Sequence, residues 1–168
     1  MDRYYYAGGQ RVPIEADETQ VAVDQGRADA AGLRSMLARV AGMGGPRLPG
    51  GVILAPRSSL DENGMDRLRK AGALRPVYRH QGAVMVALPE IRIEVDDEKQ
   101  RKAVIASILR ALHPVEISED TEDRLVLRPK SGSGDDALDV ANFVFEQAHP
   151  AAASVRFVQF VPKPRSRR

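Results

Sequence analysis

Ile91-Arg92-Ile93-Glu94-Val95-Asp96-Asp97-Glu98 is the stretch that decides how this chain folds. Apolar and polar residues alternate from Ile91 to Val95, the period of a strand with one face on a core and the other in water. Asp96, Asp97 and Glu98 then put acid where a helix begins, since unpaired N–H groups and the helix dipole favour negative charge there. Behind them Val104, Ile105, Ile108, Leu109 and Leu112 recur at three- and four-residue spacing. The spacing predicts an amphipathic helix with those five residues inward, ending before Pro114.

Downstream, Val115-Glu116-Ile117 and Leu125-Val126-Leu127 predict two short strands joined by the acidic turn Glu119-Asp120-Thr121-Glu122-Asp123. After a glycine-serine loop, Asp135-Asp136 opens a second helix with Leu138, Ala141, Val144 and Phe145 on one stripe. Val155, Phe157, Val158, Phe160 and Val161 predict the last strand. Strand, helix, strand, strand, helix, strand is the order of a split βαβ, or ferredoxin-like, unit: a small sheet covered on one face by two helices.

The same order is readable earlier. Residues 20–23 predict a strand, 28–41 a helix with Leu33, Met36, Leu37 and Val40 inward, 52–54 a strand, and 60–71 a helix with Met65 and Leu68 inward. Leu54-Ala55-Pro56 matches Leu127-Arg128-Pro129 in pattern. Each copy is preceded by an extended pair about a glycine turn, residues 4–12 and 77–86, and glycine reaches the positive φ that tight hairpins need. The expected architecture is α+β: two tandem ferredoxin-like units, each preceded by a β-hairpin. The first spans 1–76, the second 77–162, and a basic tail covers 163–168.

Composition agrees with a folded protein, at 43% hydrophobic and 29% charged residues over 168 positions. There is no cysteine, which removes disulfides, thiolate metal sites and a cysteine nucleophile. The start, Met1-Asp2-Arg3-Tyr4-Tyr5-Tyr6, lacks the basic and apolar regions of a signal peptide, and no window has the length and apolarity of a membrane span, so a cytoplasmic location without membrane partners is expected. The net charge of +2 is uneven. Lys163, Arg165, Arg167 and Arg168 account for four of the 25 basic residues, leaving 21 against 23 acidic ones, or −2, in the remainder.

Chemistry-bearing motifs are scarce. His80, His113 and His149 are not spaced with carboxylates as metal ligands would be, which predicts solvated or satisfied histidines and no metal or cofactor. Ser58-Ser59 and Ser131 to Ser133 sit in loop-like stretches as turn and cap residues, with no nucleophile elbow around them. Gly42-Met43-Gly44-Gly45 lacks the lysine and hydroxyl residue of a phosphate loop. Tyr4 and Tyr6 share one strand face and predict packing over the first hairpin. The sequence therefore predicts no catalytic residues and no enzyme.

Val140-Ala141-Asn142-Phe143-Val144-Phe145-Glu146, leading into Val155-Arg156-Phe157-Val158-Gln159-Phe160, resembles the closing helix and strand of the N-terminal prodomains of bacterial subtilisin-like serine proteases. Tyr4-Tyr5-Tyr6-Ala7-Gly8-Gly9-Gln10-Arg11-Val12 resembles their opening. The likeness covers most of the chain and is strongest over residues 90–162. The family's catalytic Asp, His and Ser have no counterpart here, so the resemblance implies a stand-alone, propeptide-inhibitor-like protein acting in trans as inhibitor, folding helper or both.

In that family the sheet packs on two surface helices of the protease, and acidic side chains of the prodomain cap those helices. The resemblance implies this role for Glu119, Asp120, Glu122 and Asp123. It also implies that Val161, Pro162, Lys163, Pro164, Arg165, Ser166, Arg167 and Arg168, at most roughly 26 Å long if extended, enter the substrate cleft as an added strand. The alternative is an RNA-binding or adaptor module on a ferredoxin-like fold with a basic tail. Leu125-Val126-Leu127 lacks the aromatics that stack bases, which argues against nucleic acid.

Overall fold

The computed structural model describes residues 2–42 and 45–163. In chain order the elements are β1 (Arg3–Ala7), β2 (Gln10–Ala16), β3 (Gln20–Asp24), α1 (Gln25–Ala30), α2 (Arg34–Gly42), β4 (Arg47–Leu48), β5 (Val52–Pro56), α3 (Glu62–Lys70), β6 (Leu74–Arg75), β7 (Val77–His80), β8 (Ala83–Glu94), α4 (Glu98–Arg110), β9 (Val115–Asp120), β10 (Arg124–Pro129), α5 (Gly134–Ala148) and β11 (Ala152–Phe160). The fold is α+β with antiparallel strand pairing. Among the described residues no helix is long and apolar enough to cross a membrane.

Contacts divide the chain into two compact units interleaved in sequence: an earlier one of Glu15–Val86 with 158–163, and a later one of 2–14 with Ala87–Phe157. The linear division at 76/77 groups each hairpin with the segment that follows it. Contacts instead group the first hairpin with Ala87–Phe157 and the second with Glu15–Val86.

In the earlier unit the strand order is β4-β5-β3-β6, and each neighbouring pair is antiparallel. Val21, Val23, Ile53 and Ala55 form one core with Leu33, Met36, Leu37, Val40, Met65 and Leu68 from the helices. The single helix expected over 28–41 is two helices, because Gly32 takes φ +75° and ends the first. Its N–H bonds the Asp29 carbonyl at 3.0 Å and the Leu33 N–H bonds that of Ala28 at 2.9 Å, satisfying carbonyls at the helix end. Strands β4 and β6 have two residues each, too short to show a period. The other face of this sheet is closed as well. Ala22, Val52 and Leu54 are buried along with their odd-numbered neighbours, and β7 contacts β3. A run of four apolar residues, Val52-Ile53-Leu54-Ala55, is how a strand buried on both faces reads.

In the later unit the strand order is β11-β8-β10-β9. Ile93 pairs with Leu125 and Ile91 with Leu127, and all four are fully buried. Arg92 pairs with Val126 and Glu94 with Arg124 on the opposite face, as the alternation predicts. Helix α5 buries Ala137, Leu138, Val140, Ala141 and Val144, and its first turn is capped by Ser133. Helix α4 departs from expectation. It ends at Arg110 and buries Val104 and Ser107, whereas Leu109 and Leu112 are 82% and 87% exposed. Ser107 occupies the inward stripe by donating its hydroxyl to the Ala103 carbonyl at 2.9 Å, which removes the cost of burying it.

The first hairpin is fixed to α5. Tyr4 and Tyr6 donate their hydroxyls to Glu146 at 2.6 and 3.0 Å, and Asn142 Nδ2 donates to the Tyr4 carbonyl at 2.8 Å. Tyr5, on the other face, meets Phe157 edge-on at 5.1 Å between ring centres. The three tyrosines are thus packing residues. Both hairpins turn through two residues at positive φ, Gly8-Gly9 and Gln81-Gly82, which matches the twist of the flanking strands.

Candidate partner-binding site

The acidic turn is built by local and helix-derived donors. The Thr121 N–H bonds the Arg124 carbonyl at 2.9 Å, closing the turn, and its hydroxyl donates to Asp123 at 3.0 Å. Arg101, projecting from α4, donates to the Thr121 carbonyl at 2.7 Å and pairs with Asp120. The Asp123 carbonyl receives the Val95 N–H at 2.9 Å, tying the turn to the end of β8. All four carboxylates are exposed, but Glu119 and Asp120 end β9 and point to opposite faces, Glu119 toward Arg124 on the open face and Asp120 toward Arg101 of α4. Only Glu122 and Asp123 lie in the turn itself.

The four carboxylates are not equivalent. Glu119 pairs with Arg124 and Asp120 with Arg101, and the hydrogen bond to Glu119 raises the Arg124 guanidinium above its ordinary value. Glu122 has no ion pair among the described residues. The Arg124–Glu119 pair is exposed, and such pairs contribute about 0–1 kcal/mol, so a partner's helix N–H groups could replace Arg124 at small cost. The Arg101 side chain, by contrast, is only 16% exposed and would be left without its carboxylate. Beyond β11, Val161 is 68% exposed, and Pro162 and Lys163 are exposed. Pro164, Arg165, Ser166, Arg167 and Arg168 lie outside the described residues.

The open face of the later unit's sheet leads to the turn. It presents Glu90, Arg92 and Glu94 on β8, Arg124, Val126 and Arg128 on β10, and Arg156 on β11. Sequence reading identified the turn but not this arginine set, whose members come from three strands. The alternation in each strand places them on the open face; only pairing brings them together.

A second cluster escaped the sequence spacing altogether. His113 Nε2 lies 3.6 Å from Asp136 Oδ1 and 3.3 Å from Asp139 Oδ2, two carboxylates one turn apart on α5. Sequence spacing did not show this pairing, because the fold brings His113 to residues more than twenty positions away, and His113 is a satisfied histidine. One nitrogen and two oxygen donors could meet a divalent ion. Arg3 already pairs with Asp139 at 2.5 Å and with Asp135 at 3.0 Å, and the first turn of α5 adds a positive dipole end. This surrounding positive charge fits an ion-pair network that fastens β1 and the loop after α4 to α5. The serines do what turn residues do. Ser59 donates to the Pro56 carbonyl and Ser131 to Asp136, both at 2.6 Å. Comparison with known protein families and with curated proteins finds no match for this chain.

Proposed function

We propose that this protein is a prodomain-like partner of a subtilisin-like serine protease, acting in trans as inhibitor, folding helper or both, with each unit ferredoxin-like. One observation carries the reading. In both units the last strand, which follows the last helix, lies beside the first strand, followed by the third and then the second: β6-β3-β5-β4 and β11-β8-β10-β9. This order leaves one sheet face free of helices, and among the described residues only the later unit has that face exposed and charged. The sheet docks by this face, the acidic turn caps partner helices, and the segment from Val161 onward enters the substrate cleft. The chain contributes surface, not catalysis. Arg92, Val126 and Arg128 at the middle of the face offer no aromatic ring for base stacking, which weighs against the RNA-binding alternative.

Co-expression with a subtilisin-like protease lacking its own prodomain should give a one-to-one inactive complex, read by gel filtration and peptide-substrate turnover. Protease activity unchanged by an excess of this protein would overturn the reading.

The turn makes a graded prediction. Replacing Glu122 by Ser or Asp123 by Asn should weaken the complex by roughly 0.3–1 kcal/mol each, and up to about 2 where the contact is partly buried. Replacing Glu119 or Asp120 should cost less, because each must first leave Arg124 or Arg101. Equal affinity for the variant lacking all four carboxylates rules the turn out as the capping element.

A further inference from the structure

Glu90 is over-supplied with cations. Its side chain is only 14% exposed, and it stands 3.3 Å from Arg92 Nε, 3.7 Å from Arg128 Nη2 and 3.7 Å from Arg156 Nη1. One negative charge therefore faces three positive ones, contributed by β8, β10 and β11. A carboxylate accepts about four hydrogen bonds, whereas three guanidinium groups offer about fifteen N–H donors. Most of those donors face water: the arginine side chains are 52%, 63% and 49% exposed. The two contacts at 3.7 Å are ion pairs longer than hydrogen bonds, so Glu90 orients these arginines without saturating them.

These side chains border a shallow cavity of about 300 Å³ over Val126, completed by Ser118 and the Arg124–Glu119 pair. Four arginines against two glutamates give its walls a net charge of +2. Glu94 lies near Arg124 and Glu116 stands opposite Arg128 in the β9–β10 register, so the surplus is smaller toward β9 and largest at Arg92 and Arg156.

We propose that this open sheet face binds an acidic segment of a protein partner, with the partner's carboxylates received by Arg92, Arg128 and Arg156 and with Glu90 as the internal counter-ion that holds them in place. Guanidinium forks match carboxylates in two-point contacts. Cations spread over three strands suit several side chains along a surface better than one small anion, and no ring is present to stack a base. Holding the arginines in place beforehand reduces the ordering cost of association. The inference rests on the docking reading above, to which it adds the chemistry of the partner's surface, and its first test needs no protease.

Titrating a hexaglutamate peptide into the full protein, followed by the arginine side-chain N–H signals in NMR, should move Arg92, Arg128 and Arg156 saturably, with affinity falling as salt is raised. The R92Q/R128Q/R156Q variant should bind the peptide at least about tenfold more weakly, a difference of roughly 1.4 kcal/mol. Arg128→Gln alone, at the most exposed of the three positions, should show a smaller loss without risk to the fold. Unmoved arginine signals, equal affinity in both variants, equal binding of hexalysine, or tighter binding of inorganic phosphate or an oligothymidine each overturns the proposal. Protease inhibition measured on the same proteins separates the two readings. Intact peptide binding without inhibition sinks only the docking reading. Inhibition without peptide binding by the wild type sinks only this one.

Discussion

Leu125→Ala is expected to lower stability by about 2–5 kcal/mol, the range for removing a leucine side chain from a closed core. Leu125 is fully buried, pairs with Ile93 on β8 and Asp120 on β9, and is the second residue of β10 after the acidic turn. The methyl groups lost would leave a void between the sheet and its helices that regular strand pairing cannot collapse to fill. For a chain of this size each kcal/mol corresponds to about 2–4 °C in Tm, so thermal melting and urea unfolding should both register the change. Arg128→Ala, on the same strand but the open face, should stay within about 0.5 kcal/mol of wild type. Equal losses at the two positions would mean that the faces of β10 have been assigned the wrong way round.

Asp17→Ala should cost about 2 kcal/mol near neutral pH and progressively less below pH 4. Asp17 lies between β2 and β3 with its carboxylate 4% exposed. Burial alone would raise its pKa. Hydrogen bonds from the Thr19 hydroxyl at 2.6 Å, Arg79 at 2.6 Å, Gln20 at 2.8 Å and the Thr19 N–H at 3.0 Å outweigh burial and hold it at about 2, against an ordinary 3.8. A carboxylate depressed in the folded state stabilises fully above its unfolded pKa, and that contribution is lost as pH falls through the folded value. The gap between wild type and variant should therefore close between about pH 4 and pH 2. A gap unchanged across that window would show that the side chain stabilises by packing rather than by charge.

Local pattern carried much of the later unit. Ile91, Ile93, Leu125 and Leu127 alternate with charged residues and are buried as that alternation requires, and Ser133 and Asp97 cap the two helices where the pattern begins. The acidic run was legible because its residues are consecutive, but β9 extends through Glu119 and Asp120, which pair with Val126 and Leu125, so the turn is shorter than the run. Spacing misled at Leu109 and Leu112, since three- and four-residue recurrence does not say which of two adjacent stripes faces the sheet, and Ser107 took the inward position. It also missed the break at Gly32, where the ability of glycine to hold a positive φ outweighed the run of helix-forming residues around it.

The sequence by itself determined the order of strands and helices in the later unit, the two glycine hairpins and the acidic run that ends β9 and enters the turn before β10, because each depends on residues within a few positions of one another. In the earlier unit no residue pattern marks the two-residue strands β4 and β6. Only the tertiary structure decided that the first hairpin belongs with α5 through Glu146 and Asn142, that His113 meets Asp136 and Asp139, and that three arginines converge on Glu90. It also decided which sheet face stays open: both faces of β5 are buried, whereas the face carrying Arg92, Arg124 and Arg128 is not. The physical reason is that exposure and charge pairing depend on what packs across a strand, and those neighbours come from parts of the chain far apart in sequence.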